Sequence, residues 1–105
     1  MIKWRKKKKV SEECWNLNNE LLWWLNEHLK VYLNDANKYV DLEYHTITYK
    51  RKTYTQLEVI NRLIELTNYL IGADCMEKCV NVKDVTKAKD EMYDLLKQVH
   101  FYMWW

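Results

Sequence analysis

The chain has 105 residues, no proline, one glycine (Gly72) and a formal net charge of +2. One glycine cannot build a phosphate-cradling loop, a dinucleotide fingerprint or a serine-nucleophile elbow. The composition, 49% hydrophobic and 30% charged, is that of one globular domain, and the lack of chain breakers favours long helices over a many-stranded sheet.

Residues 1–10 (MIKWRKKKKV) carry Lys3, Arg5, Lys6, Lys7, Lys8 and Lys9, a local charge of +6 on a body that is formally −4. This segment reads as a flexible basic arm, and residues 11–105 as a single helical domain. Lysines so spaced neutralise phosphates, and Trp4 between them can stack on a base. The arm leads into Val10-Ser11-Glu12-Glu13 rather than an apolar signal core, and the longest apolar runs (21–25 and 101–105) are five residues each. A membrane helix needs about 20. The three cysteines, Cys14, Cys75 and Cys79, are an odd number, which does not suit a disulfide framework. These features predict a cytoplasmic protein without a membrane role. Asn, Lys, Tyr and Ile supply 36 of the 105 residues. Their A/T-rich codons point to a phage or mobile-element source.

Ser11 is a suitable N-cap, with Glu12 and Glu13 favourably placed at the positive end of the helix dipole. On a helical wheel over residues 12–49, Leu17, Leu21, Leu25, Leu29, Tyr32, Ala36, Tyr39, Val40 and Ile47 fall on one side. This predicts a first helix running to about residue 50, roughly 57 Å long at ~1.5 Å per residue. Lys50, Arg51 and Lys52 then complement its C-terminal dipole. Two alternatives stay open: a break at Asn34-Asp35, and a short hairpin over 45–55 (HTITYKRKTYT), where β-branched and aromatic residues alternate.

Thr55-Gln56-Leu57-Glu58 fits a capping box and starts a second helix, with Leu57, Ile60, Leu63, Ile64, Leu70 and Ile71 on one side and Gly72 as its C′ stop. Asp74-Cys75-Met76-Glu77 repeats the capping pattern and predicts a short helix to about Val80. Asp84 caps the last helix, whose core stripe is Val85, Ala88, Met92, Leu95, Leu96, Val99 and Met103. The expected fold is all-α: a small bundle of three to four helices with a long first helix.

The apolar arcs of the first two helices span roughly 180–200°, wider than the ~100° a bundle helix needs. Trp23, Tyr93, Phe101, Trp104 and Trp105 fall off the core stripes. Exposed aromatics of this kind are interface anchors, so self-association and a protein partner are expected. Active-site chemistry is thin. Cys75 and Cys79 share a helical face, but zinc sites show two close pairs, and reduced cysteines are the simpler reading. His28, His45 and His100 lack the Glu-x-x-His pattern of di-iron bundles, because Leu25, Leu42 and Lys97 stand three residues before them. Asp41 and His45 at helical spacing read as a surface hydrogen bond rather than an acid–base pair. Asp90, Glu91 and Asp94 read as a solvated acidic face rather than a Mg²⁺ site, since no acidic pair on another helix matches them. No catalytic residue, metal or cofactor is assigned.

Two functions follow. The first is a non-enzymatic helical inhibitor or adaptor that docks Trp23, Tyr93, Phe101, Trp104 and Trp105 on a host protein, such as a nucleic-acid enzyme. The alternative is a nucleic-acid-binding accessory protein that uses Trp4, Arg5, Lys6, Lys7, Lys8 and Lys9 of the arm together with Lys50, Arg51 and Lys52.

Overall fold

A computed structural model describes residues 17–74 and 81–103. Helix α1 covers Leu17–Ala36, a hairpin follows with β1 at Thr46–Tyr49 and β2 at Lys52–Thr55, then α2 at Gln56–Asp74 and α3 at Val82–Val99, ending in a 3₁₀ turn at His100–Tyr102. The fold is mainly helical, but the hairpin overturns the all-α expectation. The basic arm, the Ser11 cap and the short helix expected near 75–80 lie outside the described residues.

The first helix is not continuous to residue 50. It ends at Ala36, after Asn34 and Asp35, whose short polar side chains compete with the helical backbone. A turn through Val40 follows, and the Asp41 carboxylate accepts from the Glu43 N–H at 2.9 Å. The chain then delivers Leu42, 2% exposed, into the core. The Thr46–Tyr49 segment pairs antiparallel with Lys52–Thr55 in the register Thr46↔Thr55, Ile47↔Tyr54, Thr48↔Thr53, Tyr49↔Lys52. Along β1 the burial alternates, with Ile47 and Tyr49 turned inward and Thr46 and Thr48 exposed, which suits a strand and not a helix.

The capping box at the start of α2 forms as its residues require. Glu58 accepts from the Thr55 N–H at 2.9 Å, and the Thr55 hydroxyl accepts from the Glu58 N–H at 3.1 Å. The other two terminal signals fail. Gly72 does not stop α2, which continues through it to Asp74, and its φ is not positive. Asn81, not Asp84, caps α3: its backbone is extended (φ −76°, ψ 121°) and its side-chain Oδ1 accepts from the Lys83 N–H at 2.8 Å.

Helix α2 is the centre of the molecule, packed against α1 on one side and α3 on the other. Its buried residues include Val59, Ile60, Leu63, Leu66, Leu70 and Ile71. The wide apolar arc of α2 is therefore explained by two neighbours rather than by an external partner. From α3, Ala88, Met92, Leu95 and Val99 enter the same core, with Val85, Leu96 and Met103 packed at its edge. On α1 the buried line runs Leu22, Asn26, Leu29, Ala36, while Leu17, Leu21 and Trp24 are exposed. The C-terminal turn is tied down by buried Gln56, whose amide donates to the Tyr102 carbonyl at 3.0 Å. The His45 ring stacks on Tyr102, with centroids 4.4 Å apart.

Candidate nucleic-acid interface

The hairpin turn has two central residues, Lys50 and Arg51, with φ of 49° and 68°. Positive φ at both central positions is the signature of a type I′ turn, which joins strands with the correct twist and normally takes Asn-Gly. Here two long cationic side chains fill it, at a backbone cost of about 1 kcal/mol or more each. Lys52 follows directly, and all three cations are exposed. The hairpin thus gathers the Lys50, Arg51 and Lys52 cluster at its tip, and not at the C-terminus of a long first helix.

Cross-strand partners share a face. Ile47 and Tyr54, with Tyr49 and Lys52, form the face turned toward α2 and α3. Thr46, Thr48, Thr53 and Thr55 form the other, and the hydroxyls of Thr48 and Thr53 lie 3.4 Å apart. On the inner side a cleft of about 460 Å³ opens between the hairpin and the helices. It is lined by Tyr49, Lys50, Lys52 and Tyr54 from the hairpin, Glu58, Val59 and Arg62 from α2, and Glu91 and Leu95 from α3. The Lys50 ammonium lies 5.4 Å from the centroid of the Tyr49 ring, a cation–π contact.

One ion pair closes the far wall. Arg62 donates from Nε and Nη2 to the two carboxylate oxygens of Glu91, at 2.5 and 2.9 Å, and Nη1 reaches Glu65 at 3.5 Å. The hydrogen bond from Arg62 holds the Glu91 carboxyl below its ordinary value of 4.5, against partial burial, with further help from the charges of Arg62 and Lys50. A carboxyl depressed in the folded state adds stability above its unfolded pKa and loses it as the pH falls through the folded value. Glu91→Gln is therefore expected to cost roughly 0.5–1 kcal/mol at neutral pH, a modest figure because the Arg62 side chain is 47% exposed. Urea unfolding should show the gap between variant and parent closing below pH 4.5.

The chain matches no family model, no curated protein and no solved structure.

The other predicted residues are dispersed. Tyr93 on α3 and Phe101 in the C-terminal turn are 61% and 82% exposed. Trp23 is half-buried against the core, whereas its neighbour Trp24 is exposed and stacks on His28 at 4.0 Å. Trp4, Arg5, Lys6, Lys7, Lys8, Lys9, Trp104 and Trp105 lie outside the described residues. Asp41 and His45 are not one helical turn apart, because they flank the approach to β1 and hold other partners. Glu91 is engaged by Arg62 rather than sharing an acidic site with Asp90 and Asp94. Among the described residues no helix is long and apolar enough to cross a membrane. The sequence reading missed the tyrosine-walled cleft and its Arg62–Glu91 pair. The signal available was Tyr49 and Tyr54 on either side of the basic triplet, which a hairpin turns onto one face.

Proposed function

We propose that this protein is a non-enzymatic nucleic-acid-binding accessory protein that engages its ligand through the β1–β2 hairpin. The observation that carries the reading is the placement of Lys50 and Arg51 at the two positive-φ positions of the turn. Backbone strain at a projecting cationic tip is accounted for when the tip must present charge rather than turn cheaply. Phosphate neutralisation explains the charge, the tyrosines beside it offer stacking surfaces, and the exposed threonines offer hydroxyls to phosphate or sugar.

The test is fluorescence anisotropy of labelled oligonucleotides with the full chain across 50–200 mM salt. Each phosphate contact to a single strand adds about −0.7 to the slope of log affinity against log salt. The triple variant Lys50→Gln, Arg51→Gln, Lys52→Gln is expected to lower that slope by about 2 units and to lose affinity most strongly at low salt. Equal affinity and slope for variant and parent rejects the hairpin as the interface. Absence of any binding at 50 mM salt passes the reading to Tyr93 and Phe101, whose exposure suits docking on a protein partner or a second copy of the chain.

A further inference from the structure

We infer that the cleft beneath the hairpin is a binding site for one nucleotide of a single strand, its base against Tyr49 and Tyr54 and its phosphate on Lys50 and Lys52. The inference rests on the proposed nucleic-acid reading and narrows it to single strands. It starts from volume: about 460 Å³ lies within the ~300–1,000 Å³ range of small-molecule sites. Burial then sorts the lining. Val59 and Leu95, 1% and 3% exposed, form an apolar floor, Tyr49 and Tyr54 are half-buried walls, and Lys50, Lys52 and Glu58 stand at the open rim.

A flat apolar group is what two phenol rings over an aliphatic floor can hold, and a base offers such a π-face whatever its sequence. A bare anion is a poor occupant, because the carboxylates of Glu58 and Glu91 share the cleft with the cations. A base carrying an anion on its sugar separates the two demands: the ring goes inward and the phosphate stays at the lysine rim. The Glu58 carboxylate at the rim then becomes useful, since Glu accepts hydrogen bonds from exocyclic amines such as cytosine N4, whereas both oxygens of Glu91 are held by Arg62. The cleft is thus expected to prefer adenine and cytosine to thymine. A base paired within a duplex cannot enter without being unstacked and flipped, which costs binding energy.

The experiment compares the full chain binding oligo(dA), oligo(dC), oligo(dT) and a mixed-sequence duplex of the same length at 50 mM salt. Tyr49→Ala is expected to weaken single-strand binding roughly tenfold, the effect of losing one stacked base. Duplex binding should fall far less, and Tyr49→Phe, which keeps the aromatic face, should bind single strands much more tightly than the alanine variant does. Tyr49→Leu, which keeps apolar bulk without the aromatic face, serves where alanine loosens the hairpin and should behave like it. The expected order is oligo(dA) and oligo(dC) above oligo(dT), and all three above duplex. Equal binding of duplex and single strands, with Tyr49→Ala and Tyr49→Leu both silent, overturns the cleft while leaving the cationic hairpin intact as an interface. Absence of oligonucleotide binding altogether overturns both.

Discussion

Exchanging Lys50-Arg51 for Asn-Gly is expected to make the protein more stable and a poorer ligand binder. The two positions have φ of 49° and 68°, a region that Asn tolerates and Gly enters freely. Relief of about 1 kcal/mol at each is partly offset by the extra unfolded-state freedom of glycine, about 0.4–1 kcal/mol. A net gain near 1 kcal/mol corresponds to roughly 4 °C or more in the melting temperature of a domain this size. The same exchange removes two of the three cations at the hairpin tip. Affinity for a single-stranded oligonucleotide should fall roughly ten- to thirtyfold at low salt, and the salt slope should flatten by about 1.4 units.

The two readouts separate the claims. A variant that melts at the parental temperature shows that the turn stores no strain, and the argument from strain to function ends there. Unchanged affinity in a stabilised variant shows that the strain serves something other than nucleic acid. Only movement of both, in opposite directions, matches a tip whose residues are kept for charge at the expense of turn geometry. A stabilising exchange at a functional position that lowers activity is the usual form of this trade-off.

Much of the helical framework was legible because local chemistry and tertiary packing agree there. The Thr55–Glu58 box starts α2 at the expected residue, and the apolar stripe of α3 is the one that reaches the core. The long first helix was misread because a wheel treats Tyr39, Val40 and Ile47 as continuing one phase, while in the fold Leu42 turns inward and Ile47 reaches the core from a strand. Period-2 and period-3.6 patterns are hard to separate over four residues, so the hairpin over 45–55 stands in the sequence only as the alternative to a continued helix, and the absence of Asn-Gly weakens its turn signal. Gly72 misled for a related reason: a helical glycine near a helix end resembles a stop unless its φ is known. The cleft was legible only on its hairpin side, as the basic and aromatic cluster of residues 49–54. Tyr49 and Arg62 are thirteen positions apart, and Glu91 is on another helix, so only the docking of the hairpin on α2 and α3 assembles them.

The displaced stripe on α1 leads to the second large effect. Pattern reading centres α1 on Leu21 and Leu25, yet Leu21 is 57% exposed and the buried line passes through Asn26, at 1% exposure. Asn26 lies against the side of α2 opposite the cleft. Its amide nitrogen lies within hydrogen-bond reach of the Thr67 hydroxyl at 2.8 Å, the Asn68 side-chain oxygen at 3.0 Å and the Ile64 carbonyl at 3.3 Å. Thr67 is itself fully buried, and its hydroxyl also lies 2.9 Å from the Leu63 carbonyl. A buried polar pair, Asn26 with Thr67, in a seam that is apolar to either side fits in one register only, because sliding α1 by a turn leaves Asn26 without partners. Asn26→Ala is expected to lower the unfolding free energy by about 3 kcal/mol, combining lost hydrogen bonds with an unfilled space. Asn26→Leu should recover part of that loss: it refills the volume, Thr67 keeps its bond to its own helix, and Asn68 is open to water. Urea midpoints read both changes, with the slope unchanged for a two-state domain. An alanine variant within 1 kcal/mol of the parent means that α1 does not depend on Asn26 for its seat on α2. A leucine variant as damaged as alanine means that the hydrogen bonds, and not the packing, hold the seam.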